Sequence, residues 1–147
     1  MLENPHVEKF DYNSLFVRKR RKAMIDFKNS SLVKLGPVNP VEVQANIQPL
    51  LVNHETIMIA AKGIRDYVVF TNRRVIVVNV QGMTGTKKAF ASLPYKKLQA
   101  WSIETAGTVD LDSEVDLWYS SVGQVHLEFS RGFDIVAVSR LLAEASL

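Results

Sequence analysis

The sequence predicts an all-β domain in which seven short antiparallel strands are closed by a C-terminal helix. Three observations carry this. From His54 onward the hydrophobic period is two, the period of a half-buried strand. The alternating stretches are separated by turn-forming residues and by intervals shorter than the roughly a dozen residues a parallel crossover needs. After Gly132 the period lengthens, and Ile135, Val138, Leu142 and Ala145 share one helical stripe.

Each element follows in order. Residues 10–28 can be drawn as a helix, because Tyr12, Phe16, Ala23 and Phe27 fall in a narrow stripe that Arg20 and Ile25 interrupt. Asn29-Ser30-Ser31 and Gly36-Pro37 read as a stop and a linker. Asn39-Pro40-Val41-Glu42 then supplies an N-cap, a proline at the first helical position and an early acid. Val43, Ile47, Leu50 and Leu51 continue at helical spacing, so a short helix is expected over about 40–51, ended or kinked at Pro49. Strands are expected at 55–62, 64–71, 73–81, 86–93, 98–105, 111–119 and 124–130, and the closing helix at about 133–146. The expected core includes Val69, Ile76, Val78, Trp101, Ile103, Val115, Leu117, Leu127, Phe129, Val138 and Leu142. In 111–119, Leu111, Ser113, Val115 and Leu117 face one way, and Asp112, Glu114 and Asp116 the other. Trp118 falls on that acidic face, which marks it as an assembly contact or as covered by the N-terminal segment.

Composition sets the class. Of 147 residues, 47% are hydrophobic and 22% charged, ordinary values for one globular domain. There is no cysteine, which excludes disulfides, thiolate nucleophiles and sulfur-ligated metals. No apolar run reaches a membrane span, and MLENPHVEK is not a signal-peptide start, so a cytoplasmic protein is expected. The net charge of +3 lies entirely in residues 1–32, which hold seven Lys or Arg against four Asp or Glu; the rest holds eleven of each. Arg18, Lys19, Arg20, Arg21 and Lys22 form its centre, suited to a nucleic acid, a membrane surface or an acidic protein, or simply to a solvated helix face. Between Gln99 and Ser130 there is no Lys or Arg, while six acids fall there.

Motifs for chemistry are weak. Gly82-x-x-Gly85-Thr86-Lys87 lacks the P-loop spacing and precedes a strand, so it reads as a hairpin turn. Asp110-x-Asp112-x-Glu114 resembles the start of a calcium loop, but Val115 stands where its glycine belongs and Ser121 where its last glutamate belongs. His6, His54 and His126 have no partner at metal-ligand spacing, and no G-x-S-x-G elbow is present. No metal, cofactor or enzymatic activity is expected.

Three stretches carry a resemblance: IRDYVVFTNRRVIVVNVQGMTGTKK (Ile64 to Lys88), SLPYKKL (Ser92 to Leu98) and SIETAGTVDLDSEVDLW (Ser102 to Trp118). With the closing FSRGFDIVAVSRLLAEASL, they make residues 33–147 similar to the bacterial pleckstrin-homology-like (PH-like) family of small ring-forming proteins. The resemblance implies a PH-like fold, with seven antiparallel strands in two near-orthogonal sheets capped by the C-terminal helix. Residues 1–32 would then be a basic N-terminal extension, outside the family pattern. The resemblance also implies assembly into a closed cyclic ring that presents a hydrophilic surface to protein partners, and attributes no catalytic residues. A ring would hide the edge strands that such a sheet leaves open. A cyclic homo-oligomer, with five subunits, is therefore expected. The expected interface comprises Arg65, Asp66, Asn72, Arg73, Glu104, Thr105, Asp110, Asp112 and Trp118, since polar residues flanking apolar strands can pair across a seam. Arg65, Arg73 or Arg74 could instead meet a small anionic ligand between subunits. Specific phosphoinositide binding is not expected, because Lys62-Gly63-Ile64-Arg65 is a tight turn with two cations, too few for such a cradle.

Overall fold

The computed structural model describes residues 25, 27 and 32–147. Apart from Ile25 and Phe27, the helix expected over 10–28 lies outside the described residues, as do Arg18 to Lys22. The described chain runs β1 (Gly36–Pro37), α1 (Pro40–Ile47) with a 3₁₀ turn (Gln48–Leu50), β2 (Ile57–Lys62), β3 (Tyr67–Thr71), β4 (Arg74–Gln81) and β5 (Lys87–Pro94). A second 3₁₀ turn (Tyr95–Lys97) leads to β6 (Ala100–Glu104), β7 (Ser113–Tyr119), β8 (Gly123–Phe129) and α2 (Ile135–Ser146). Strands β1 to β5 form one antiparallel sheet in chain order, and β6 to β8 a second. All seven expected strands are present. The eighth is Gly36–Pro37, expected as a linker; its register with Lys62 and Ala61 sits on a sheet edge, where proline is tolerated.

Helix starts follow their caps. The Asn39 side chain accepts from the Val41 N–H at 3.1 Å, and Asp134 accepts from the Ala137 N–H at 3.1 Å. Between β4 and β5, Gly82 and Gly85 both take positive φ (75° and 66°), so the glycines serve a turn.

The core has two parts because the first sheet is covered on both faces. Val68, Phe70, Val75 and Val77 pack against Val115, Leu117, Leu127 and Phe129 of the second sheet and Val138 and Leu142 of α2. The alternate residues, Val69, Ile76 and Val78, pack on the outer face beneath Val43 and Ile47 of α1. Each such side chain contributes about 1.5–3 kcal/mol relative to exposure, which favours the unbroken apolar run Val68-Val69-Phe70 in β3, a strand buried along its whole length. Two expectations are corrected. Trp101 and Ile103 are only partly buried, because β6 is an edge strand. Leu111 is exposed, because β7 begins at Ser113 and the inward alternation begins with it.

The sheets are joined differently along their two seams. The Glu128 N–H donates to the Leu32 carbonyl, and Leu35 N–H donates to the Glu128 carbonyl, each at 3.0 Å. The same segment then pairs with β2, so residues 32–37 bridge β8 to β2. Leu32 and Leu35 are buried there, with Phe27 in the same cluster. At the other seam, β5 and β6 are the terminal strands of their sheets and have no outer pairing among the described residues. The corner between them is pinned by Tyr95, whose hydroxyl donates to the Thr71 carbonyl at 2.8 Å, and by Tyr119, which donates to Leu93 at 3.2 Å. Burial pushes both phenols up, Tyr119 to about 12. Among the described residues, no helix is long and apolar enough to cross a membrane.

Candidate interaction site

Among the described residues, the densest polar network lies at the β3–β4 turn. Antiparallel pairing of β2 with β3 sets Ile57 opposite Thr71, so Glu55, just ahead of β2, arrives beside that turn. Its carboxylate, with the side chain 1% exposed, accepts from Thr71 Oγ1 at 2.8 Å, Arg74 Nε and Nη2 at 2.9 Å, and the Val52 N–H at 3.1 Å. Burial raises the Glu55 pKa, but the bonds from Arg74, Thr71 and Val52 outweigh it and leave the carboxyl below its ordinary range. Arg74 also donates to the Leu50 carbonyl at 2.6 Å and to Ser92 Oγ at 2.9 Å. Asn72 accepts from Thr56 N–H and donates to the His54 carbonyl, both at 2.9 Å. Together these groups fasten the 50–56 loop to the turn.

Above this network opens a cleft of about 290 Å³, with Val52, Pro94, Tyr95 and Ala145 as its walls and Arg73 and Lys96 exposed at its rim. Among the described residues of its lining, the one carboxylate, that of Glu55, is already held by Arg74. Such a site offers two cations over apolar walls, which suits an acidic side chain or a terminal carboxylate of a partner. Sequence reasoning missed Glu55 and Lys96 as members. The available signal was hairpin arithmetic, since a strand at 55–62 paired with one at 64–71 sets Glu55 against Thr71.

The residues expected to form one interface are not brought together. Arg65 and Asp66 sit at one end of β3, and Asn72 and Arg73 at the other, with a five-residue strand ~17 Å long at ~3.3 Å per residue between them. Asp66 corrects the expectation of a surface group. It is buried, accepting from Val80 N–H at 2.9 Å and Asn79 Nδ2 at 3.0 Å. Glu104, Thr105, Asp110 and Asp112 do share a region, the β6–β7 loop and its flanks, where Asp110 accepts from the Asp112 N–H at 3.1 Å. Trp118 is half-buried, opposite Ala100 and Gln124.

Register also aligns acids across the second sheet. Glu104 faces Glu114, and Glu114 faces Glu128, an unfavourable row of like charges. Burial first, then the neighbouring Asp112 and Glu114, raises the Glu128 pKa. His126 Nδ1 lies 2.7 Å from Asp116 Oδ1, which also accepts from Gln124 at 2.8 Å. Ligand atoms of Glu114, His126 and Glu128 come within 4.8 Å of one another, a proximity that linear spacing did not show and that a cation could use. A cross-strand row of solvated acids produces the same proximity.

The comparisons agree with this architecture. The model of the family described as "Bacterial PH domain" matches residues 26–146. The Uncharacterized protein YjqA of Bacillus subtilis (strain 168) is 36% identical over 119 residues, covering 80% of this chain and 95% of that protein. A DUF1696 family protein with a pleckstrin-homology domain from Shewanella loihica PV-4 is 36% identical with a TM-score of 0.69, covering 78% of this chain and 99% of that one. A pleckstrin homology domain from Shewanella amazonensis SB2B is 32% identical with a TM-score of 0.59, covering 90% and 98%.

Proposed function

This chain belongs to the bacterial PH domain family, and on that premise we propose that it is a non-enzymatic interaction module that assembles with copies of itself into a closed ring. The observation that supports this reading is the asymmetry of the two seams. Residues 32–37 cover the β2 and β8 edges, while among the described residues nothing pairs with the outer edge of β5 or β6. Free edges of this kind invite strand pairing between chains. Their charges differ in sign: residues 87–97 hold four lysines and no acid, whereas 98–130 hold acids and no Lys or Arg. A β5-to-β6 contact between neighbours is thus complementary and heterologous, the type of contact that closes into a ring when the rotation permits. Each exposed pair contributes only about 0–1 kcal/mol, so charge sets register while backbone pairing holds the seam. The cleft edged by Arg73 and Lys96 then serves an acidic segment of a cytoplasmic protein partner.

Light scattering on the purified chain tests this. The expected result is a discrete assembly of about five protomers that Lys87→Glu with Lys88→Glu dissociates. A monodisperse monomer at micromolar concentration would refute it.

A further inference from the structure

The outer face of the second sheet carries a charge pattern that strand pairing alone does not account for. Along β7 and β8 the alternation turns Val115, Leu117, Val125 and Leu127 into the core. It leaves Asp112, Glu114, Asp116, Trp118, His126 and Glu128 on the other side, where Glu104 joins them from β6 opposite Glu114. The face thus gathers five carboxylates, and residues 98–130 hold no Lys or Arg. Its histidine is already 2.7 Å from Asp116. Trp118 is half-buried there and belongs to neither hydrophobic cluster of the described residues.

The chain carries the matching charge close by. Arg18-Lys19-Arg20-Arg21-Lys22 supplies five cations, with no acid between Val17 and Ile25. Just beyond, Phe27 is buried in the main core, and the Leu32 carbonyl accepts from the Glu128 N–H at 3.0 Å. The body therefore receives this part of the chain at the β8 edge of the acidic face. At ~3.5 Å per residue, the five residues from Lys22 to Phe27 reach at most ~18 Å and the nine from Arg18 ~32 Å. The seven residues of β7 make the face about 23 Å long, and its three strands, ~4.8 Å apart, make it about 10 Å wide. The tether spans it.

We propose that Arg18 to Lys22 dock on the outer face of the second sheet of their own chain, with their cations among the acids of the row and an arginine over the Trp118 ring. The tether holds the segment at an effective concentration on the order of millimolar, which an untethered basic partner must exceed. Its cations offset the repulsion along Glu104, Glu114 and Glu128, the same repulsion that joins burial in raising the Glu128 pKa. A guanidinium on Trp118 covers the ring that neither core cluster takes in. Nucleic acid and anionic lipid are repelled by this face. Docking uses side chains of the face and leaves the β6 backbone edge available for a neighbouring strand.

Carbodiimide coupling of the full chain tests this, because it joins a lysine amine to a carboxylate only where the two touch. The products are separated by mass, and peptide mass spectrometry reads the single-chain band. Lys19 and Lys22 should couple there to Asp112, Glu114, Asp116 or Glu128, with a yield that falls about threefold or more between low salt and ~0.5 M salt. Replacing Arg18, Arg20 and Arg21 by Gln keeps both lysines and should lower that yield as well. A second measurement is independent of coupling chemistry. Glu128→Gln should raise the thermal midpoint more in a chain whose five cations are replaced by Gln than in the wild type, because that segment no longer offsets the row. The proposal is overturned if Lys19 and Lys22 couple to no carboxylate of the face, or do so only in bands of two or more chains. It is also overturned if salt leaves the yield unchanged, or if Glu128→Gln shifts both backgrounds equally.

Discussion

The two ends of the β3–β4 ladder use polar residues in opposite ways. At the Thr71-Asn72-Arg73-Arg74 end, charge is turned inward: Glu55, Thr71, Asn72 and Arg74 hold one another and the 50–56 loop. At the Arg65–Asp66 end only Asp66 turns inward, and the apex presents Ile64 and Met83 outward. The contrast separates residues that sequence alone would group. Arg73 and Arg74 are adjacent, yet the first is exposed and the second is locked to a carboxylate.

The strongest way to break this comparison is Arg74→Ala. It leaves Glu55 buried without its cation, a change that typically costs about 3–5 kcal/mol. The Arg74 side chain is 21% exposed, so water can reach part of the gap and the lower figure is expected. Urea denaturation measures it. A midpoint equal to the wild type would mean that the network is ornamental to the fold.

Asp66→Ala should come next. It leaves the Val80 N–H without its side-chain acceptor and frees Asn79, a loss of about 1–3 kcal/mol for a buried donor. Hydrogen exchange should rise first at Val80 and along the adjoining turns, with the Arg74 end unaffected. Uniform loosening would show that the two ends are one cooperative unit.

pH sharpens the comparison further, because two carboxylates have opposite signs. Glu55 is lowered, so its contribution is complete above the unfolded carboxylate value of about 4.3 and is lost as pH falls through its folded value. Glu128 is raised, so its contribution is complete below that unfolded value and disappears as pH rises through its folded value. Glu128→Gln should therefore stabilise the neutral protein by about 0.2–1 kcal/mol, by removing one member of the acidic row. Arg74→Ala should shrink the acid limb that Glu55 contributes. Thermal midpoints across pH 3–8 (roughly the span over which these groups titrate) would show it.

Much of the fold was legible because its signals are local. Period-two alternation marked the strands, Asn39-Pro40 marked a helix start, and the 82–85 glycines marked a turn. What stayed hidden depends on what lies opposite. Val69 and Val68 look alike in sequence, but α1 covers one and the second sheet covers the other. Gly36-Pro37 reads as a linker until β2 is beside it. The interface set was less legible still. Polar residues that flank apolar strands read as one surface, although β3 separates Arg65 from Arg73 and Asp66 faces inward.

The smallest expected effect bears most directly on function. Arg73→Glu should shift stability by no more than about 0.5 kcal/mol, the usual range for an exposed side chain without a structural partner among the described residues. Its backbone N–H donates to Thr71 Oγ1 at 3.0 Å and its carbonyl accepts from Tyr95 N–H at 3.2 Å, and neither bond involves the side chain. Reversal beside Lys96 should instead remove the cleft's attraction for carboxylates and abolish capture of an acidic peptide, measured by fluorescence anisotropy with the assembly mass held as a control. If Arg73→Glu unfolds the protein as Arg74→Ala does, the two arginines are not distinct and the cleft is part of the scaffold. Unchanged stability with unchanged capture would leave the scaffold intact and remove the cleft from the interaction surface.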